Sequence, residues 1–293
     1  MKRICSYFPV LCGLLMFGFG AISAQTIFMN PIPDSKPKIS FRFLHPDLKS
    51  EFGPTTLSGE YELALSVPVN EVINLTASLP IFHQAYHIKF VDESGHVLET
   101  RTLSENSFGN LFLEIQTRQV LASQVQGSAS FGVYLPSAKS EYSEDATLFF
   151  NMYTNPYEWR TFIAKTVIFY GNYAIRMQNP APVTPILGLE FGPEFYIPTE
   201  NGDRRNAEML FHYGLSFGAK ASYVVLQGEL LGLFLASESG IDFTDRFDHF
   251  AAFGVQVTDL PVRPGVFYQL PIDEWYRYVM NGVLGVKLDI ILP

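Results

Sequence analysis

The chain has 293 residues, a formal net charge of −9, 47% hydrophobic and 15% aromatic residues, and only 17% charged ones, against roughly 25% charged in a typical soluble domain. The acidity argues against a nucleic-acid partner. No stretch after residue 24 approaches the roughly 18 to 20 apolar residues of a transmembrane helix, which leaves a large soluble β protein or a transmembrane β-barrel.

At the start, Lys2 and Arg3 precede an apolar run from Ile4 to Ile22, and Ala21, Ser23 and Ala24 close it before Gln25. A charged head, an apolar stretch and small residues at the cut form the layout of a secretory signal peptide over residues 1–24. Its removal yields an exported chain, residues 25–293, read as one barrel domain. Both cysteines, Cys5 and Cys12, fall in the removed part, so neither a disulfide nor a thiolate metal site is expected.

Pro31 to Pro54 reads as a periplasmic lead-in, or as an edge strand from Ile39 to Leu44. Beyond it the apolar residues recur with period two. Tyr61, Leu63, Leu65, Val67 and Val69 alternate with Glu60, Glu62, Ala64 and Ser66, as on a strand with one apolar face. The same code runs through Ile73 to Ile81 and Leu111 to Arg118. Longer versions cover Leu187 to Ile197, Met209 to Ala221 and Met280 to Ile290, and runs of about ten residues suit a tilted strand crossing a bilayer. Asn172, Asn179 to Pro185, Asn201-Gly202-Asp203, Ser237 to Gly240 and Pro261 to Gly265 read as turns or loops. Pro136 to Arg160 and Asp259 to Tyr276 read as long extracellular connections. The spacing predicts an all-β fold, an antiparallel transmembrane β-barrel of about 12 strands. In a soluble sandwich the outward face would be polar and the strands about five or six residues long.

Several short segments resemble the bacterial outer-membrane barrels grouped with the phenol-degradation transporter family. They are Gly109-Asn110-Leu111 with Arg118, Gly132-Val133-Tyr134-Leu135-Pro136, Phe191-Gly192-Pro193 with Ile197-Pro198-Thr199, and Phe243-Thr244-Asp245-Arg246-Phe247. The resemblance implies an outer-membrane channel of modest bore in a Gram-negative bacterium, passing small and often apolar or aromatic solutes. One departure concerns the last strand, which such barrels usually end with an aromatic residue as the assembly signal, whereas this chain ends Ile290-Ile291-Leu292-Pro293.

The inward set Glu60, Glu62, Glu114, Arg118, Glu190, Glu194, Lys220, Glu229, Lys287 and Asp289 mixes both signs. Such a set either pairs internally or selects solutes, and Arg118 is the leading functional cation. Asp242, Asp245, Arg246, Asp248 and His249 crowd one connection and read as a solvated loop or a rim that screens solutes. Aromatic clusters at Tyr142 to Trp159 and Phe267 to Tyr278 fit the bilayer interface, with a stacking platform for an aromatic solute as the alternative. No Gly-x-Ser-x-Gly elbow, zinc helix or phosphate loop gathers the six histidines of the mature chain. The chain is therefore read as a non-enzyme without cofactor or metal. Its expected partners are outer-membrane lipids, the barrel-assembly machinery and a small-molecule solute. The alternatives are a structural barrel filled by salt bridges and a soluble periplasmic β-rich binding protein.

Overall fold

The computed structural model describes residues 27–29, 31–49, 57–91, 97–138, 151–178, 183–199, 206–238, 240 and 242–293. The expected leader, residues 1–24, and the loop signals at 179–182 and 201–203 lie outside them. In chain order the strands are β1 (Lys38–Leu48), β2 (Gly59–Pro68), β3 (Ile73–Val91), β4 (Val97–Phe108), β5 (Leu111–Ala122), β6 (Val125–Leu135), β7 (Thr166–Gln178), β8 (Val183–Pro198), β9 (Glu208–Ala221), β10 (Val224–Leu235), β11 (Phe247–Val257), β12 (Val262–Pro271) and β13 (Met280–Ile291). Every strand pairing among the described residues is antiparallel, with β1 joining β13 on one side and β2 on the other, and β2 joining β3. The wall is thus a closed cylinder of twelve strands, β1 to β3 and β5 to β13.

β4 is the thirteenth strand of the sheet and stands outside that cylinder. The first part of β3 pairs β5 through Ser78↔Phe112, and from Ile81↔Phe108 onward β3 pairs β4 instead. Pro80 sits at this fork, where its missing N–H interrupts neither ladder. The hairpin β3–β4 therefore rises past the rim.

Alternation on each strand produces an inside-out distribution. On β8, Leu189 and Phe191 are 54% and 60% exposed, while Glu190 and Glu194 are 4% and 1% exposed. Hydrocarbon around the cylinder is the solvent that makes such a surface favourable. The strands run long because each must cross the bilayer at a tilt.

The connections sort by length onto two ends. Positions 69–72, 123–124, 222–223 and 258–261 make short turns at the end where β1 begins and β13 stops. Their sequences suit tight reversal: Asn70 Oδ1 accepts from the N–H groups of Val72 and Ile73, both at 2.8 Å, and Ser222 and Asp259 adopt φ of 53° and 59° in the left-handed region that turns use. In barrels of this class the short turns face the periplasm. The connections from β6 to β7 and from β10 to β11 leave and return at the opposite end, which is then the extracellular side.

Four expectations need correction. Residues 38–48 form a full wall strand that closes the cylinder, not a lead-in or an edge. Asp259 to Tyr276 is not one loop, because it contains β12. Its Pro264 and Gly265 resemble a turn, but β11 pairs β12 only from Gly265 onward, so Pro264 falls where the strand has one neighbour. Asn172 lies inside β7, where its side chain is used in the lumen. Finally, the alternating run Ile73 to Ile81 is only the first part of β3, which continues to Val91.

Arginine on the outer face tests the inside-out wall. Val286→Arg, midway along β13, is expected to destabilise the barrel by about 2–4 kcal/mol, and Val183→Arg at the periplasmic start of β8 by about 0–1 kcal/mol. Reversible urea unfolding in lipid vesicles measures both.

Candidate functional site in the barrel lumen

Two segments that belong to no strand occupy the lumen, one from each end. From the periplasmic side, residues 27–29 and 31–37 form a strap that runs inside the wall before β1 begins. Its anchor is Glu229 on β10, whose carboxylate accepts backbone N–H bonds from Ile27, Phe28 and Met29 at 2.7, 2.8 and 3.3 Å. Gln116 donates to the Pro31 carbonyl at 2.7 Å, and Asp34 pairs with Lys38 at 3.3 Å and Arg263 at 3.1 Å. A fully buried carboxylate is costly without donors, and the strap supplies three.

From the extracellular side, a segment that includes the 3₁₀ helix Trp159–Thr161 folds inward as a plug. The Gly109-Asn110 pair at the β4–β5 junction holds it there. A Cβ on Gly109 would lie 2.3 Å from the Thr161 carbonyl oxygen. The buried Asn110 side chain donates to the Arg160 and Ile163 carbonyls at 3.0 and 2.8 Å and accepts from Ala138 N–H at 3.1 Å.

The plug delivers two charged side chains to the wall. Arg160 donates to Glu194 at 2.6 Å, to the Tyr134 hydroxyl at 2.9 Å and to Glu158 at 3.3 Å, and its guanidinium lies 4.9 Å from the Tyr170 ring centroid. Glu158 accepts in turn from Arg42 of β1, which also reaches Glu62 at 2.8 Å and Glu60 at 3.5 Å. Asn155 donates to Glu60 at 2.8 Å and Glu158 at 3.0 Å. Across the lumen, Tyr196 donates to Glu194 at 2.6 Å, and His212 lies 3.0 Å from Glu194 while stacking on Tyr170. Two guanidinium groups thus bridge four carboxylates from wall to plug to wall. Burial alone would raise the Glu158 carboxyl, but Arg42 and Arg160 outweigh it and hold that group below the ordinary carboxylate range.

Filling is lopsided. Beside β10 to β13 and β1, the lumen is packed with Leu231, Leu233, Phe250, Phe267, Met280 and Val283, against Phe28 of the strap and Tyr157 of the plug. Beside β1 to β3 the wall carries the small residues Ser40, Ala64, Ser66, Thr76 and Ser78, and there a chamber of about 160 Å³ remains. Its far side is the aromatic surface of Phe112, Tyr134 and Tyr170, with Arg42, Glu158, Arg160, Lys38 and Lys287 on its lining and the strap as its floor.

The residues singled out from sequence distribute around this arrangement. Glu114 and Lys287 line the chamber, and Glu194 holds the plug. Glu229 holds the strap, and Glu190 faces the lumen beside Asn172 at 3.5 Å. Lys220 pairs with Asp259 near the periplasmic turn, and Asp289 is buried 3.7 Å from Lys287. Arg118 sits at the periplasmic end of β5, with its backbone N–H bound to the Val72 carbonyl, away from the chamber. The guanidinium groups at the chamber belong to Arg42 and Arg160. Asp242, Asp245 and Arg246 lie at the extracellular 3₁₀ turn Phe243–Arg246, Asp248 is the second residue of β11 and faces inward, and His249 faces outward. Sequence reading missed Arg42, Glu158, Arg160 and His212. Of these, Arg42 and His212 carried a signal, inward parity on an alternating strand.

No family model and no curated protein matches the sequence. Solved structures do. The COG4313 outer membrane channel from Pseudomonas putida F1 aligns with a TM-score of 0.58 and 9% identity over 92% of this chain and 100% of that one. The KdgM porin aligns with a TM-score of 0.50 and 10% identity over 87% and 99%, and LpxR from Salmonella typhimurium with 0.50 and 8% over 87% and 100%.

Acid should loosen the plug. A carboxyl held below its ordinary value of 4.5 contributes stability that is complete above pH 4.5 and is lost as pH falls through the lowered value. Hydrogen exchange in residues 151–165, corrected for intrinsic rates, is expected to accelerate below pH 4.5, and in Glu158→Gln to be fast already at neutral pH. In architecture, the chain is an all-β, twelve-stranded antiparallel barrel of the outer-membrane kind, the same kind as the barrels its short motifs resemble.

Proposed function

We propose that the protein is an outer-membrane channel or transporter that passes small molecules, apolar or aromatic ones among them, through the chamber side of its lumen. The observation that carries this reading is the lopsided filling. A barrel serving only as a structural post gains stability by packing its interior throughout, whereas here small side chains line one wall and leave a chamber between two removable obstructions. Its aromatic surface and guanidinium groups suit an amphipathic or aromatic solute better than a bare ion. The fold-level similarity to channels and porins supports the same class of function. Export through a cleaved leader, as residues 1–24 suggest, is part of the proposal.

Passage requires the strap and plug to move, and each hangs on identifiable bonds. Glu229→Ala removes the acceptor of three backbone N–H groups, and Asn110→Ala removes a side chain that holds the plug, so each leaves buried polar groups unpaired at about 1–3 kcal/mol apiece. In planar bilayers the parent is expected to show small, infrequent conductance steps. Glu229→Ala and Asn110→Ala should raise conductance or open time several-fold, and the double variant more. Vesicles carrying the parent should take up an aromatic alcohol faster than protein-free ones.

A second reading, a non-transporting barrel filled by salt bridges, is favoured by the pairs Arg42–Glu158 and Arg160–Glu194. That reading requires no conductance steps from the parent or from either variant.

A further inference from the structure

The outer wall is not uniform. Two rows of outward side chains, one crossing β7 to β11 and the other β7 to β10, leave a groove between them. The upper row follows the register Tyr173, Phe191, Tyr213, Gly232, His249, and the lower row follows Ile175, Leu189, Leu215, Leu230. Lining residues from both rows, with Ile272, enclose about 590 Å³, within the range of ligand pockets. The floor is main chain at Glu190, Gly214 and Leu231, positions whose side-chain direction is the lumen. Four inter-strand steps of about 4.8 Å make the groove about 19 Å long.

Its slope and polarity are directional. Tyr173 lies in the periplasmic half of β7 and Phe191 near the middle of β8, whereas His249 is the third residue of β11 at the extracellular end. The groove therefore descends from the outer rim to the middle of the bilayer. Its lower reach is apolar. At its upper end the Tyr213 ring lies over Gly232, where a Cβ would come within 2.1 Å of it, and the Tyr213 hydroxyl meets His249 Nε2 at 2.9 Å. Asp273 fixes the imidazole, accepting from the His249 backbone N–H and lying 3.4 Å from Nδ1. A hydroxyl, an imidazole and a carboxylate joined in this way on a lipid-facing wall are costly in hydrocarbon and suited to the polar carbonyl and hydroxyl zone of a lipid.

We infer that this groove is a binding site for one acyl chain of the outer-leaflet glycolipid, lipid A. The chain lies along the leucine row with its end toward Tyr173, and its ester, amide or hydroxyl group is met by Tyr213 and His249. The bilayer is what covers this face, the extracellular position of the lip selects the outer leaflet, and the polar trio occupies the end where an acyl chain joins its headgroup. The site lies outside the lumen, so it stands or falls independently of solute passage.

Native mass spectrometry of the full chain in detergent, incubated with hexa-acyl lipid A, tests the inference. The parent should retain one lipid per barrel. Tyr213→Phe should weaken retention about 3- to 10-fold, the value of one hydrogen bond. Leu215→Trp, which fills the groove, should abolish the adduct, while Leu284→Trp on the plain wall of β13 should leave it unchanged. Heat-modifiable gel mobility shows which variants are folded, and if Leu215→Trp is not, Tyr213→Phe decides. An absent adduct in the parent, equal retention by Tyr213→Phe, or equal retention of phosphatidylethanolamine in place of lipid A overturns the assignment.

Discussion

A strand inside hydrocarbon cannot leave a row of N–H and C=O groups unpaired, and the rest of this molecule follows from that constraint. It demands a ring without an edge, which the β1–β13 and β2–β3 ladders complete. A closed ring then has one face toward lipid and one toward a lumen. Period-two alternation assigns every residue to one of them, so apolar side chains face outward and charges face inward. The exception shows the rule: β4 departs from the cylinder at Pro80, past the height where closure is required.

Closure creates a second difficulty, since a narrow lumen lined with charge is a poor place for unpartnered groups. The chain meets it from within. Backbone N–H groups of the strap satisfy Glu229, and the plug inserts Glu158 and Arg160 between Arg42 and Glu194. The two insertions meet, with the Phe28 and Tyr157 rings 6.4 Å apart. Because buried pairs are worth little net but are costly to break singly, such a filling holds firmly until one member is removed and then loosens as a group. That behaviour suits a closed passage better than a rigid post. The empty volume lies beside β1 to β3, where the short side chains Ser40, Ala64, Ser66, Thr76 and Ser78 leave space that neither insertion fills.

The outer wall shows the same economy in reverse. Most of it is a featureless apolar surface, and the inclined groove between the Tyr213 and Leu215 rows is a departure that ends in a polar trio. A lipid-facing surface has no need of a fixed imidazole. Its position at the rim, with an apolar channel descending from it, matches the two chemistries of an amphiphile.

The sequence by itself determined the cylinder, because alternation is a local property: every strand meets the same lipid outside and the same wet interior inside, whatever its neighbours. It also marked Gly109-Asn110, whose use in clamping the plug became visible only with Thr161 beside it. Prolines and asparagines misled where they sit at harmless places in the ladder, as Pro264 does beside a single neighbour and Asn172 does facing the lumen. What only the tertiary structure decided is which inward charges meet. Arg42 and Glu158 are 116 positions apart, and Phe28 and Glu229 are 201 apart. Parity names the side of the wall a residue faces, but height, tilt and the path of inserted segments choose its partner. For that reason Arg160, on a connection with no alternation, stands at the chamber, and Arg118, on a plainly alternating strand, stands at the periplasmic mouth.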